Sequence, residues 1–218
     1  MTKNSGRGFT IVELLIVIVV IGILATIAVV SYNGIQDRAQ AARTTSAVKA
    51  YETMLGLYSS FNKGEYPFLR PMYDRYAPNA EALCLGPSTD FPTDTANGFQ
   101  AGECSLQFDG SNRIVYGGYS SGHDLIAALK PYASSASNFS IPVTSMVFAG
   151  KTYKDRGIYY RNLSKDGGIH TQIAYQIKGD GCANQSHRKI SYDSGTKTSY
   201  CMSILQATPG VDWSDLYM

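Results

Sequence analysis

Glu13 is a carboxylate inside an apolar run, Phe9 to Val30, that is otherwise interrupted only by Thr10, Gly22 and Thr26. An acid within a bilayer-length segment costs about 2.5–3.5 kcal/mol on insertion scales, so its presence points to a task and a partner. Ion pairing is the chemistry open to it, because a desolvated carboxylate is stabilised by a desolvated amine and is costly when left alone. The run of roughly 22 residues rises about 33 Å as a helix, close to the thickness of a hydrocarbon core. Residues 1–8 ahead of it carry Lys3 and Arg7 and no acid. That asymmetry keeps the N-terminus in the cytoplasm and sends the rest of the chain out.

Four cysteines, Cys84, Cys104, Cys182 and Cys201, all fall in the part that would be exported. An even count outside the cytoplasm implies disulfides. Four cysteines allow three pairings, and the sequence leaves all three open. The local pairs Cys84–Cys104 and Cys182–Cys201 are favoured, since each closes a loop of roughly 20 residues, a gain of about 3 kcal/mol in the loop-entropy account. His123, His170 and His187 are available for zinc, but no C-x-x-C or H-x-x-x-H spacing accompanies them, and no metal or cofactor is expected.

Gly118-Tyr119-Ser120-Ser121-Gly122 matches the G-x-S-x-G nucleophile elbow, with a candidate strand before it and His123-Asp124 after it. The simpler reading is a turn at Gly117-Gly118 and a capping box over Ser121–Asp124. A hydrolase of that kind needs a parallel βαβ sheet, and the later strands lack intervening helices. Ser194-Gly195-Thr196-Lys197 fits S-x-x-K only formally, on a turn, so no catalytic residue is assigned. Between Lys151 and Lys165, basic residues alternate with Tyr153, Tyr159 and Tyr160, a pattern that can stack on single-stranded nucleic acid. Asp155 dilutes it, and DNA contact is the lesser reading.

The elements that would position these groups follow from periodicity. Tyr32, Ile35, Ala39 and Ala42, then Val48, Tyr51, Leu55 and Tyr58, recur at three- and four-residue steps among polar residues. That is an amphipathic helix continuing the apolar one, stopped by Asn62-Lys63-Gly64 and Pro67. From Phe9 to Phe61 it would be roughly 80 Å long. Gly64 to Asn112 is expected to be irregular, broken by Pro67, Pro71, Pro78, Pro87 and Pro92. Strands are expected at Arg113–Tyr116, Gly157–Arg161, Ile169–Lys178, Lys189–Tyr192 and Lys197–Leu205, with a short helix at His123–Lys130 ended by Pro131. The expected fold is α+β: one long helix, apolar in its first half and amphipathic in its second, with a small antiparallel sheet as head.

The chain has 19 Lys and Arg against 17 Asp and Glu, and setting aside Lys3 and Arg7 balances the two. A neutral product lacks the electrostatic footprint of a dedicated nucleic-acid binder. Other readings of the N-terminus fit less well. A secretory signal would be shorter, with an A-x-A-like cleavage site. A plain anchor explains neither Gly8-Phe9 nor Glu13. A soluble helix that is apolar all round would need a large core to hide it.

Arg7-Gly8-Phe9-Thr10-Ile11-Val12-Glu13-Leu14-Leu15, followed by Ile21-Gly22-Ile23-Leu24-Ala25, resembles the class III signal of type IV prepilins and related pseudopilins. The match covers about residues 7–35. The resemblance implies cleavage after Gly8 by a prepilin peptidase, methylation of the new N-terminus at Phe9, and pairing of Glu13 with the Phe9 amine of a neighbouring subunit. It implies a homo-oligomeric helical filament, assembled by a platform protein and a motor ATPase from a single-pass pool in the inner membrane, with the head outside. The Cys182–Cys201 pair would resemble the C-terminal disulfide-bounded loop common in type IV pilins. Many members have a proline where this chain has Val30; proline there would loosen the helix, so a straighter helix is expected, with Gly22 as its weak point.

The expected organisation is a leader over 1–8, a membrane and polymerisation segment over 9–30, an amphipathic segment over 31–61 and a globular head over 62–218. The expected role is a non-enzymatic filament subunit. Its neighbours are a minor pilin and a secretion or DNA-uptake pseudopilin; a rival of another class is a membrane-anchored monomeric binding or hydrolase domain. Partner binding by the head is expected at the turns Asn184–Arg188 and Tyr192–Thr196.

Overall fold

The structure is a computed structural model that describes residues 9–67, 82–111, 114–119, 123–132, 141–165 and 168–211. It is α+β. The order is α1 (Ile11–Phe61), β1 (Ala82–Leu85), β2 (Glu103–Phe108), β3 (Ile114–Tyr119), α2 (His123–Leu129), β4 (Thr144–Phe148), β5 (Lys151–Asp155), β6 (Ile158–Lys165), β7 (Gly168–Lys178), β8 (Arg188–Asp193) and β9 (Thr198–Ala207). The chain divides into two compact units, one ending at Ala39 and the other beginning at Gln40.

Helix α1 ends as its sequence dictates, with one refinement. The Gly64 N–H donates to the Ser59 carbonyl at 2.9 Å, the 6→1 bond of a Schellman motif. The left-handed seat of the motif is taken by Lys63 (φ 57°), followed by Gly64, also at positive φ (87°). In the second unit, the helix buries Thr44, Ala47, Val48, Tyr51 and Leu55, a stripe at three- and four-residue steps. Ile35, Ala39 and Ala42 are exposed. They lie on the phase that continues to Ser46, Lys49 and Thr53, away from the packed face.

Nine strands among the described residues form one sheet in the order β4-β5-β2-β3-β1-β6-β7-β9-β8. Every neighbouring pair is antiparallel except β1–β3. Gly64–Asn112 is therefore not irregular throughout, since it supplies β1 and β2. In β2 nearly every position is buried, so the alternation that reveals a strand is absent, and Pro87 and Pro92 fall between the two strands. The β4–β5 hairpin was also not foreseen. Its two-residue turn is Ala149-Gly150, both at positive φ (49° and 73°), the geometry of a type I′ turn without the usual Asn-Gly signature. Pro131 does not end α2 abruptly but lies in a 3-10 turn over Lys130–Tyr132.

The sheet curls over itself. Strand β4, at one end of the strand order, touches β7, β8 and β9 at the other, and the Val147 N–H donates to the Asp193 carboxylate at 2.8 Å. One face of the sheet packs on the α1 stripe through Leu83, Leu85, Ile158, Tyr160, Ile173, Tyr175 and Ile177, with Leu125 and Leu129 of α2. Inside the curl lies a second cluster of Cys84, Phe91, Cys104, Tyr159, Ala174 and Met202.

Candidate functional site

The first turn of α1 is built by three residues. Thr10 caps the helix: its Oγ1 accepts from the Glu13 N–H at 3.2 Å, while the Thr10 N–H and hydroxyl both donate to Glu13 Oε2 at 2.8 Å. This is a reciprocal capping box, and the acid favours the positive end of the helix dipole. Glu13 thus has a local partner within its own chain, with Oε1 uncommitted among the described residues. Phe9 sits just ahead of the helix and is 82% exposed. Gly8 lies outside the described residues.

From Phe9 to Ile27 the large apolar side chains are all bare; the least exposed, Val20, is still 48% accessible. Burying each would gain roughly 1.5–3 kcal/mol. A segment this apolar on every side has its matching environment outside its own chain. Among the described residues no helix is long and apolar enough to cross a membrane. The apolar stretch with described side chains closes at Ile27, while the apolar sequence itself runs on to Val30.

In the second unit the cysteines are paired Cys84–Cys104 and Cys182–Cys201, with Cα–Cα separations of 5.8 Å in both. Cys84–Cys104 ties β1 to β2 beneath Phe91. The loop between them is held again by Arg156, whose guanidinium donates to the carbonyls of Glu103 (2.7 Å), Gln100 (3.0 Å) and Pro92 and stacks 4.4 Å from the Phe99 ring. Gly157 follows because nothing larger fits: an added Cβ would sit 2.8 Å from Phe91 and 3.0 Å from the Cys104 side chain.

The Cys182–Cys201 loop lies against the helix. His187 Nε2 meets Glu52 Oε1 at 2.8 Å, and the Ser203 hydroxyl donates to the same oxygen. The Tyr175 hydroxyl lies 2.7 Å from His187 Nδ1 and accepts from the Ala183 N–H at 3.0 Å. The two ring nitrogens of His187 thus face the Tyr175 hydroxyl and the Glu52 carboxylate. Burial works against the Glu52 charge, but the hydrogen bonds from His187 and Ser203 outweigh it and hold the carboxyl below its usual range. His187 stands out in the sequence only as an available zinc donor, and Glu52 not at all. The available signal was the helical phase, since Glu52 follows Val48 by four residues and precedes Leu55 by three. An open cleft of 490 Å³ is lined by Thr45, Val48, Lys49, Glu52, Thr53, Ala183, Asn184 and His187. Asn184, Gln185, Ser186, Arg188, Lys189, Tyr192, Ser194 and Gly195 are exposed on the loop and its turns.

The remaining sequence motifs assemble no site among the described residues. Gly118 and Tyr119 end β3, and Ser120, Ser121 and Gly122 lie outside the described residues. In Lys151–Lys165 the rings that would stack on bases are drawn inward, with Tyr159 and Tyr160 buried, while Lys154 lies over Phe108. No group of three or more His, Cys, Asp or Glu residues able to hold a metal occurs among the described residues.

Residues 3–29 match the model of the prokaryotic N-terminal methylation motif. The chain is 39% identical to the type II secretion system core protein G of Klebsiella michiganensis over 67 residues, 31% of this chain and 46% of that protein. It is 38% identical to core protein G of Escherichia coli K12 over 64 residues, 29% of this chain and 43% of that protein. It is 47% identical to a fimbrial protein of Pseudomonas aeruginosa over 50 residues, 23% of this chain and 32% of that protein. The chain thus spans less than half the length of the curated relatives it matches, and no solved structure shows a significant match. The junction at Gly8-Phe9, the acid at Glu13 and nearly all of the apolar run after them lie in the matched motif, and in this N-terminal segment the chain is similar to both the secretion core protein G and the fimbrial protein.

Proposed function

We propose that this chain is the structural subunit of a type IV pilus-like filament, made as a precursor, cleaved after Gly8 and polymerised through the helix beginning at Phe9. The observation that carries this is the bare apolar stretch Phe9–Ile27 with a carboxylate in its first turn. Such a surface is stabilised in a bilayer before assembly and against copies of itself afterwards. In a filament the Phe9 amine of one subunit meets Glu13 of its neighbour. Thr10 holds that carboxylate at the helix N-terminus until the exchange, which replaces a local hydrogen bond with an ion pair in a low-dielectric interior. The organisation proposed is leader 1–8, polymerisation segment 9–30, amphipathic segment 31–61 and head 62–218. The subunit has no catalytic role, its precursor pool is a single-pass protein of the inner membrane, and a peptidase, a platform protein and an assembly ATPase serve it.

Mass spectrometry of the filament or membrane fraction tests processing: the mature chain begins at Phe9 and carries an N-methyl group. An intact Met1 terminus, or a cut near Ala28, would exclude the prepilin reading. A secretion pseudopilin is the second reading, supported by the relatives named type II secretion core protein G. Abundance separates them, because a pilus subunit accumulates as long surface filaments and a pseudopilin does not.

A further inference from the structure

The interior of the curled sheet is polar where a core would be expected to be apolar. Gln176 on β7, Tyr200 on β9 and Ser191 on β8 are in register across three adjacent strands and share one face. Asp155 on β5, in register with Ser105 on β2, faces them from the folded-over part of the sheet. Asp155 and Gln176 are each 2% exposed. Both Asp155 carboxyl oxygens, both ends of the Gln172 and Gln176 amides, and the Ser191 hydroxyl have no hydrogen-bond partner among the described residues. Ser105 and Gln176 are close enough to favour an Asp155 charge, yet neither completes a bond to it in good geometry. Unsatisfied buried groups cost about 1–3 kcal/mol each, so this many together rival the stability of a whole domain. Something occupies the lone pairs.

We propose that this interior is a proton-and-water site: Asp155 is held as the neutral carboxylic acid, donating toward Gln176, with ordered water joining Gln176, Ser191 and Gln172. The groups facing it argue for a proton. They are Ser105 on β2, Tyr153 on β5 itself, Tyr159 and Arg161 on β6, Gln176 on β7, Tyr200 on β9 and Ser191 on β8. Burial pushes the Tyr159 and Tyr200 phenols up, and the two hydroxyls bond each other at 2.7 Å, so both stay neutral. Arg161 acts on those two phenols. Asp193, at the mouth of the curl, is an anion engaged with Val147 and Thr196. Neither Asp155 oxygen is bonded to a cation among the described residues, and a buried carboxyl so placed retains its proton. Burial accordingly carries Asp155 from 3.8 up to about 7. Two further buried titratable groups are His170, at the far end of β7, which burial pushes down, and Glu103 on β2, whose carboxylate accepts from the Gln100 N–H.

The sign follows from linkage. The folded state holds a proton that the unfolded state releases, so folding loses about tenfold in equilibrium constant per pH unit between roughly pH 4 and 7, and the loss levels off above that. The experiment measures denaturant unfolding of the full processed chain in detergent from pH 4 to 8, for the wild type and for Asp155→Asn. The amide is nearly isosteric and always neutral. The expected result is that the wild type weakens relative to the variant by that slope, leaving the variant the more stable above pH 7. His170 is common to both and cancels in the difference. Parallel profiles would overturn the proposal. So would selective stabilisation of the wild type at pH 8 by sodium, potassium or calcium at fixed ionic strength, because the site would then hold a cation. Should the variant fail to fold, the carboxyl carbon-13 shift of Asp155 in the wild type decides: a midpoint near 7 supports the site, and one below 4 removes it.

Discussion

Helix α1 can be compared with itself. Between Ile11 and Ile27 its apolar side chains are exposed on every side, whereas from Gln40 to Phe61 a single stripe through Val48, Tyr51 and Leu55 is buried and the other faces are solvated. Both stretches obey one rule: the pattern of apolar residues matches the environment that each must satisfy. The second finds its environment in its own chain. The first does not, so in the proposed filament its residues would bear on assembly and leave head stability alone.

Substitutions that separate the two stretches test this most directly. Glu13→Ala is expected to abolish most filament incorporation while leaving a cleaved, exported protein whose head unfolds at the wild-type denaturant concentration; pelleted filament against total protein measures it. Normal filaments would reject the Phe9–Glu13 exchange. Removing the Cys182–Cys201 bond by Cys182→Ser and Cys201→Ser should destabilise the head by about 2–5 kcal/mol, without affecting cleavage at Gly8. Leu55→Ala should cost about 2–5 kcal/mol in the same measurement, whereas Leu15→Ala, on the bare stretch, should leave head unfolding unchanged. A head equally sensitive to both would erase the comparison. Glu52→Gln should sharpen it at low pH. The wild-type carboxyl lies below its usual range, so its stabilisation is complete above 4.5 and is lost as the pH falls through the folded value. The variant should lose that part of the acid dependence in thermal melts. The smallest effect is at the helix stop: Lys63→Gly relieves a left-handed seat and should stabilise by a few tenths to about 1 kcal/mol.

The N-terminal segment was legible because its signal is a contradiction within a few residues, a charge in an apolar run beside a Gly-Phe junction. The C-terminal strands were legible because β7 and β9 are long and β-branched or aromatic at alternate positions. Ser194-Gly195-Thr196-Lys197 lies on a turn, between β8 and β9, as expected. Strands β1 and β2 were hidden for a physical reason: they are short and buried on nearly every position, so period-two contrast vanishes. The β4–β5 hairpin was hidden because Ala149-Gly150 lacks the Asn or Asp that marks such a turn. Its lysines and tyrosines read as an exposed basic surface, whereas Tyr153 is half-buried and Lys154 lies on Phe108. The Glu52–His187–Tyr175 chain joins residues up to 135 positions apart, and no local pattern foretells it. The polar interior around Asp155 depends on the sheet curling, a property of topology.

In the proposed filament, the contact between Glu52 and the C-terminal loop would determine how a pull along the helix is received. Glu52 grips two anchors, Ser203 on β9 and His187 in the preceding loop. Cys182–Cys201 ties that loop to β9, two residues from Ser203. Tension that breaks one grip therefore cannot carry the anchors apart, because the covalent closure keeps both at high effective concentration beside the carboxylate. The contact fails and reforms in place. The joint between helix and sheet would yield under force by slipping and recovering, and a chain without the Cys182–Cys201 bond would tear there once and stay open.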